Sequence, residues 1–267
     1  AVGAEVAVLR ETKALLVAEA GCSALVEVVA VEMRADVFVD GALWMSTALT
    51  PGDWEDYAYG AAFSGDLVAR ADEIDRVDVR VEGGAAAIDV RLRTRRASAL
   101  RAPQPSLPGC SLPASLGGDV RRERPRRLFA PLAPEAVWRM GRALLPAQTM
   151  HQATGAVHAA ACADRAGAPV FVREDVGRRN AVDKLVGAML RAGTDPQDGF
   201  AYLSSRCALE LVAKLARAGV RVVAAVSAPT SAVIDFADRE GVALAAFARD
   251  GRFTVYAHPE LFDLSAK

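Results

Sequence analysis

Hydrophobic and polar positions change rhythm twice along this chain. In the first hundred residues, short apolar runs at 25–29, 37–41, 77–81 and 87–92 predict strands, with a turn at Asp40-Gly41. Thr50-Pro51-Gly52-Asp53 predicts a helix start, with Thr50 as N-cap and Pro51 at the first helical position. The helix that follows carries Trp54, Tyr57, Ala58 and Ala61 at core-facing spacing. Residues 1–20 predict a helical arm. From residue 128 onward the period alternates between strand and helix. Apolar strands are predicted at 169–173, 200–204, 220–227 and 242–248, with helices at 180–191, 206–218 and 230–240 between them. Residues 253–256 offer a last strand, and Gly219 and Gly241 close two of the helices. Such alternation implies right-handed crossovers and a mainly parallel sheet.

Between these halves the pattern is lost. Residues 102–127 hold Pro103, Pro105, Pro108, Pro113 and Pro125 with Gly109, Gly117 and Gly118, which excludes a regular helix or central strand. Three regions result: an α+β region at 1–101, a long loop at 102–127 and an α/β region at 128–267. The loop ends in Arg121, Arg122, Arg124, Arg126 and Arg127, either a solvated charge run or a surface for an anion or partner.

Composition adds limits. The chain has 267 residues, 52% hydrophobic and 24% charged, with a net charge of −1, so it is an ordinary globular sequence. That balance gives no global attraction to nucleic acid or membrane; neither is expected as a partner. No apolar run reaches the roughly 18 residues of a membrane span. The first ten residues lack the basic head and apolar core of a signal peptide. Four widely spaced cysteines exclude a disulfide framework and favour a reducing cytoplasm.

Candidate chemistry gathers where the second-half strands end. Arg173-Glu174-Asp175 opens the block Arg173 to Lys184, dense in charge between an apolar strand and an amphipathic helix and including Asn180. Ser204-Ser205-Arg206, Ser227-Ala228-Pro229-Thr230 and Arg249-Asp250-Gly251-Arg252 close the next three strands. Strand carboxyl ends are where α/β folds bind ligands, and helix N-termini, hydroxyls and arginines suit phosphate or pyrophosphate. Ser and Thr also cap helices without any ligand, but capping alone does not ask for an arginine beside nearly every cap. Arg173, Asp175, Asn180, Ser205, Arg206, Ser227 and Thr230 are therefore candidate ligand-binding residues. His158, among alanines, is read either as a core histidine or as a site residue. No CxxC and no glutamate two residues after His158 accompany it, so no zinc site is expected. Cys110, in the Pro/Gly loop beside the basic run, is the candidate nucleophilic thiol. Cys22, Cys162 and Cys207 fall in apolar or helical surroundings and read as buried small residues.

These residues resemble a family. TPGDWEDYAYG, TGAVHAAA, VREDVGRRNAVDKLVGAML, LSSRCALELVAKLARAGV, VSAPTSAV and GRFTVYAHP occur in order, and together they are similar to the formate dehydrogenase accessory sulfurtransferases, the FdhD family. The resemblance runs from about residue 25 to about residue 260. It implies a cytidine-deaminase-like three-layer core without zinc, a mixed, mostly parallel sheet with helices on both faces. It implies a sulfurtransferase that moves sulfur from a cysteine desulfurase to the molybdenum or tungsten bis-molybdopterin guanine dinucleotide cofactor of formate dehydrogenase. That cofactor would be a bound substrate, the carrier a persulfide on Cys110, and the assembly a homodimer. The family's contact segment maps onto Phe247, Ala248, Arg249, Asp250, Gly251 and Arg252. This chain departs from the family pattern at Pro113, where a second loop cysteine is usual, and at Ala156, Arg179 and Ser205. A single thiolate still accepts sulfane sulfur, but an intramolecular resolving thiol is missing. A second reading, a cofactor-binding chaperone without sulfur transfer, therefore stands beside the first.

Overall fold

Leu9–Ala18 and Gly21–Ala30 form an antiparallel hairpin, β1 and β2, where the sequence predicted a helical arm. Local helix formers such as Ala, Leu and Glu are overridden by pairing with the Val-rich second strand, and Gly21 at φ 130° lets the chain turn back. The structure, a computed structural model, describes residues 6–94, 130–249 and 251–265. The loop 102–127 with Cys110, and Asp250, lie outside the described residues.

Met33–Val39 (β3), Ala42–Leu49 (β4), Ile74–Glu82 (β5) and Ala85–Leu92 (β6) make a four-stranded sheet in the order β4-β3-β6-β5. Period-2 alternation builds it: Met33, Ala35, Val37 and Val39 point inward and are buried. Asp40 and Gly41, both at positive φ, supply the tight turn between β3 and β4. The sheet is not wholly antiparallel, because β3 and β6 run parallel. The connection between them includes helix α1, Trp54–Ser64. This helix begins four residues later than Thr50. Asp53 is its N-cap, and the Thr50 hydroxyl instead accepts the Val176 N–H at 3.0 Å.

The second half adds α2 (Pro134–Ala147), α3 (Thr149–Thr154), β7 (His158–Asp164), β8 (Pro169–Asp175) and α4 (Arg178–Ala192). Then come β9 (Gly199–Leu203), α5 (Leu209–Ala218), β10 (Val222–Ala225), α6 (Ser231–Glu240), β11 (Ala243–Arg249) and β12 (Arg252–Ala257). Their sheet has the order β12-β11-β10-β9-β7-β8. β9, β10 and β11 pair in parallel, while β7 is antiparallel to both of its neighbours and β12 to β11. The fold is thus mixed α/β with helices on both faces of the larger sheet. Leu185, Val186, Leu211, Leu215 and Phe236 cover one face; Val137, Met140 and Leu144 of α2 cover the other.

One core spans both sheets. Val37, Ile88, Val90, Tyr57 and Phe63 belong to the same buried cluster as Leu185 and Val186. The seam is helix α1 against α4, closed to backbone contact by two glycines. A Cβ on Gly60 would lie 1.8 Å from the Asp183 carbonyl oxygen, and one on Gly187 would lie 1.8 Å from that of Asp56. Neither position has room for any side chain.

Candidate functional site

β8, β9, β10 and β11 point the same way, so their carboxyl ends share one side of the sheet with the amino ends of β7 and β12. A cleft of about 760 Å³ opens there, between these ends and helices α2 and α3. Its floor includes Tyr202 and Ala248. The phenol of Tyr202 donates to the Ala248 carbonyl, and burial pushes its pKa up to about 12, so it stays protonated. Gly141 lets α2 lie over this floor, since a Cβ there would come 2.8 Å from the Tyr202 oxygen.

Two of the chain's three histidines line the cleft, His151 from α3 and His158 from the start of β7. The His151 ring Nδ1 lies 3.0 Å from the Val157 carbonyl. A carbonyl only accepts, so Nδ1 carries a proton and donates it there. His158 is half-buried. Burial first, then the charges of Arg178, His151 and Arg206, push its pKa below the ordinary imidazole value, which favours the neutral ring. Ser204 joins them: its N–H donates to the Ala159 carbonyl at 3.0 Å, and its Oγ accepts the Ala159 N–H at 2.8 Å.

Glu174 fixes one wall. Its carboxylate accepts the N–H groups of Met150 and His151, each at 2.9 Å, at the start of α3. A carboxylate there satisfies two orphan donors and lies at the positive end of the helix, holding the turn that carries His151.

The strand β11 is irregular beside the cleft. Register shifts between Ala246 and Arg249, and Phe247 adopts φ 52° while more than a third exposed. A bulky residue in the left-handed region stores strain, and bulges re-aim side chains near sites. The Phe247 N–H donates to the Ser227 carbonyl at 3.3 Å, tying the β10–α6 turn to the bulge. Ala248, Arg249 and Gly251 line the cleft. Arg249 and Arg252 are direct cross-strand partners, a like-charge pairing that an anion between them would relieve.

The remaining sequence candidates divide. Arg206 is exposed and near enough to His158 to act on its titration. Ser205 is buried, its hydroxyl donating to the Arg206 carbonyl at 3.1 Å, and Thr230 stands exposed at the N-cap of α6. Arg173, Asp175 and Asn180 do not line the cleft. Side chains of Arg173 and Asp175 leave β8 on the α4 face, opposite to Glu174. Arg173 holds buried Asp56 at 2.7 Å. Asp175, fully buried, binds Lys184 at 2.9 Å, the Thr50 N–H at 3.0 Å and the Asn180 amide at 3.0 Å. Burial pushes its pKa up, opposed by Lys184. Asn180 also donates to the Ala48 carbonyl at 2.8 Å, and Lys184 to that of Thr50 at 2.9 Å. The densest charged block of the sequence is thus a brace joining the two sheets.

Cys162 and Cys207 are buried, with burial pushing their thiols up to about 11 and about 12, but Cys22 is exposed because β2 is solvent-facing. Among the described residues no group of three or more His, Cys, Asp or Glu is gathered as a metal site needs. Sequence reasoning missed His151, Trp138 and Arg142, all supplied by α2 and α3. The signal was the spacing of Val137, Met140 and Leu144 after Pro134.

The FdhD/NarQ family model matches residues 30–263. The chain belongs to this family. A sulfur carrier protein FdhD of Bordetella petrii is 37% identical over 79% of this chain and 78% of its own length. That of Xanthomonas campestris pv. campestris is 38% identical over 91% of this chain and 89% of its own. A crystal structure from Desulfotalea psychrophila, of a protein assigned as a formate dehydrogenase accessory protein, shares the family's fold. Its TM-score is 0.77 at 23% identity, covering 96% of this chain and all of that one.

Proposed function

We propose that this chain is a cytoplasmic sulfur carrier that serves formate dehydrogenase. It takes sulfur from a cysteine desulfurase and delivers it to the bis-molybdopterin guanine dinucleotide form of molybdenum or tungsten, bound as a substrate. The observation that carries this reading is the cleft at the strand carboxyl ends. It sets an apolar floor and two imidazoles beside Arg142 and Arg249, with Arg206 near His158 and Arg252 the cross-strand partner of Arg249. Arginines are suited to pyrophosphate through paired N–H groups. The apolar floor and Trp138 give flat rings a surface to lie on. Family membership, and relatives named sulfur carriers, agree with it.

In this reading the Cys110 thiolate attacks the outer sulfur of the donor's persulfide. A new S–S bond forms at Cys110, the donor's S–S bond breaks, and the donor cysteine leaves as a thiolate. The chain's own residues then hold the anionic substrate. Arg249 and Arg252 neutralise phosphate charge, Ser204 and His151 orient polar edges, and Glu174 keeps the His151 turn in place.

The experiment is an intact-mass measurement after incubation with a cysteine desulfurase and cysteine. The expected result is about 32 Da of added sulfur on the wild type and none on Cys110→Ala, the thiolate being the accepting nucleophile. Pro113 at the usual place of a second loop cysteine favours the alternative of a cofactor-binding chaperone. Unmodified wild type that still binds GDP would establish that alternative.

A further inference from the structure

Tyr202 does more than floor the cleft. It stands on β9, in one row with Ala224 of β10 and Ala245 of β11, while the carbonyl that its phenol reaches is that of Ala248 on β11. That strand lies two ladder spacings away, roughly 10 Å. A long side chain can cross such a gap only over a small residue, and Ala224 leaves the way open. What the reach accomplishes shows in β11 itself. Ala243 and Ala245 pack in the cluster beneath α2, and strict alternation would send Phe247 there next. Ala248 packs there instead, so the side-chain phase slips by one residue. Phe247 absorbs the slip at φ 52°, and the register with β12 breaks between Ala246 and Arg249. A bulky residue stays in the left-handed region only where its surroundings over-determine it. Two hydrogen bonds do so here: the Phe247 N–H to the Ser227 carbonyl at 3.3 Å, and the Tyr202 phenol to the Ala248 carbonyl. The second is sealed from water. Tyr202 is 1% and Ala248 2% exposed, and α2 lies so close that a Cβ on Gly141 would come 2.8 Å from the phenol oxygen. Arg249, the next residue, lines the cleft.

We propose that Tyr202 is the positioning residue of Arg249: its hydrogen bond to Ala248 holds the bulge from which Arg249 enters the cleft. It acts through the main chain of β11. For the nature of the ligand this rests on the function proposed above, whereas the pinned bulge is a property of the free protein.

Hydrogen exchange of the free full chain and binding of GDP test this together. Tyr202→Phe keeps the ring and deletes only the hydroxyl. Exchange in residues 247–252 should speed up at least about tenfold, while β3 to β6 keep wild-type protection. Gly141→Ala, which crowds the same hydroxyl from α2 without removing it, should act in the same direction. GDP affinity should fall at least about fivefold in Tyr202→Phe, the weight of one net hydrogen bond. Added to Arg249→Ala, the same change should cost less than about twofold, because the side chain that it positions is gone. A general loss of packing would instead add in full and loosen both sheets. Wild-type exchange at 247–252 in Tyr202→Phe, wild-type GDP affinity, or full additivity with Arg249→Ala would each overturn the positioning role. Wild type that does not bind GDP would count against the cofactor reading, and exchange at the bulge would still decide the role of Tyr202.

Discussion

At the scale of single residues, His158 ties the site to pH. Its pKa lies below the ordinary imidazole value because the ring is half-buried among Arg178, His151 and Arg206. The unfolded chain therefore takes up this proton first as pH falls. His158 leaves stability untouched above about pH 6.5 and lowers it progressively below that, until the folded ring also protonates. An anion in the cleft reverses the sign, since it favours the charged ring. Two outcomes are expected: thermal melts of His158→Asn should fall less steeply than wild type between about pH 6.5 and about pH 5. Over the same range, GDP affinity should rise by no more than tenfold per pH unit in wild type and flatten in the variant. Parallel pH profiles for both proteins would remove His158 from the site.

Elements show where sequence reading succeeded and where it stopped. The strand–helix alternation after residue 169 was legible because apolar runs and helical stripes there have distinct periods. β7 was not: Ala159, Ala160, Ala161 and Ala163 are buried on both faces, and an alanine run carries no strand signature. β1 misled in the opposite direction, its helix formers outvoted by a valine-rich neighbour. The brace could not be told from a ligand site, because a buried ion network and an anion pocket draw on the same side chains. Only the alternation within β8 separates them, and that needs the register. Removing a brace partner should be severe. Lys184→Met leaves Asp175 buried without its cation and is expected to cost about 3–5 kcal/mol in urea unfolding. A loss below about 1 kcal/mol, the scale of an exposed pair, would show that the brace contributes little.

For the whole molecule, the Gly60–Gly187 seam and the shared core make the two sheets one cooperative unit. Tryptophan fluorescence reports partly on Trp44 in the smaller sheet, and far-ultraviolet dichroism reports on all helices. Their urea transitions should coincide in the described core. Gly60→Ala, which forces a methyl into the Asp183 carbonyl, should shift both together and destabilise by about 3 kcal/mol. Separated transitions, or a shift in one probe alone, would mean that the sheets unfold independently.

β8 serves two masters through nothing more than the zigzag of an extended chain. Arg173 and Asp175 go down to the seam with the smaller sheet, while Glu174, between them, goes up to anchor the turn bearing His151. Deleting one residue upstream in this strand would swap those destinations, sending Glu174 toward the seam and turning both Arg173 and Asp175 away from the smaller sheet in a single step. One backbone carries both duties, so the register that seats the brace also fixes the anchor of the cleft wall.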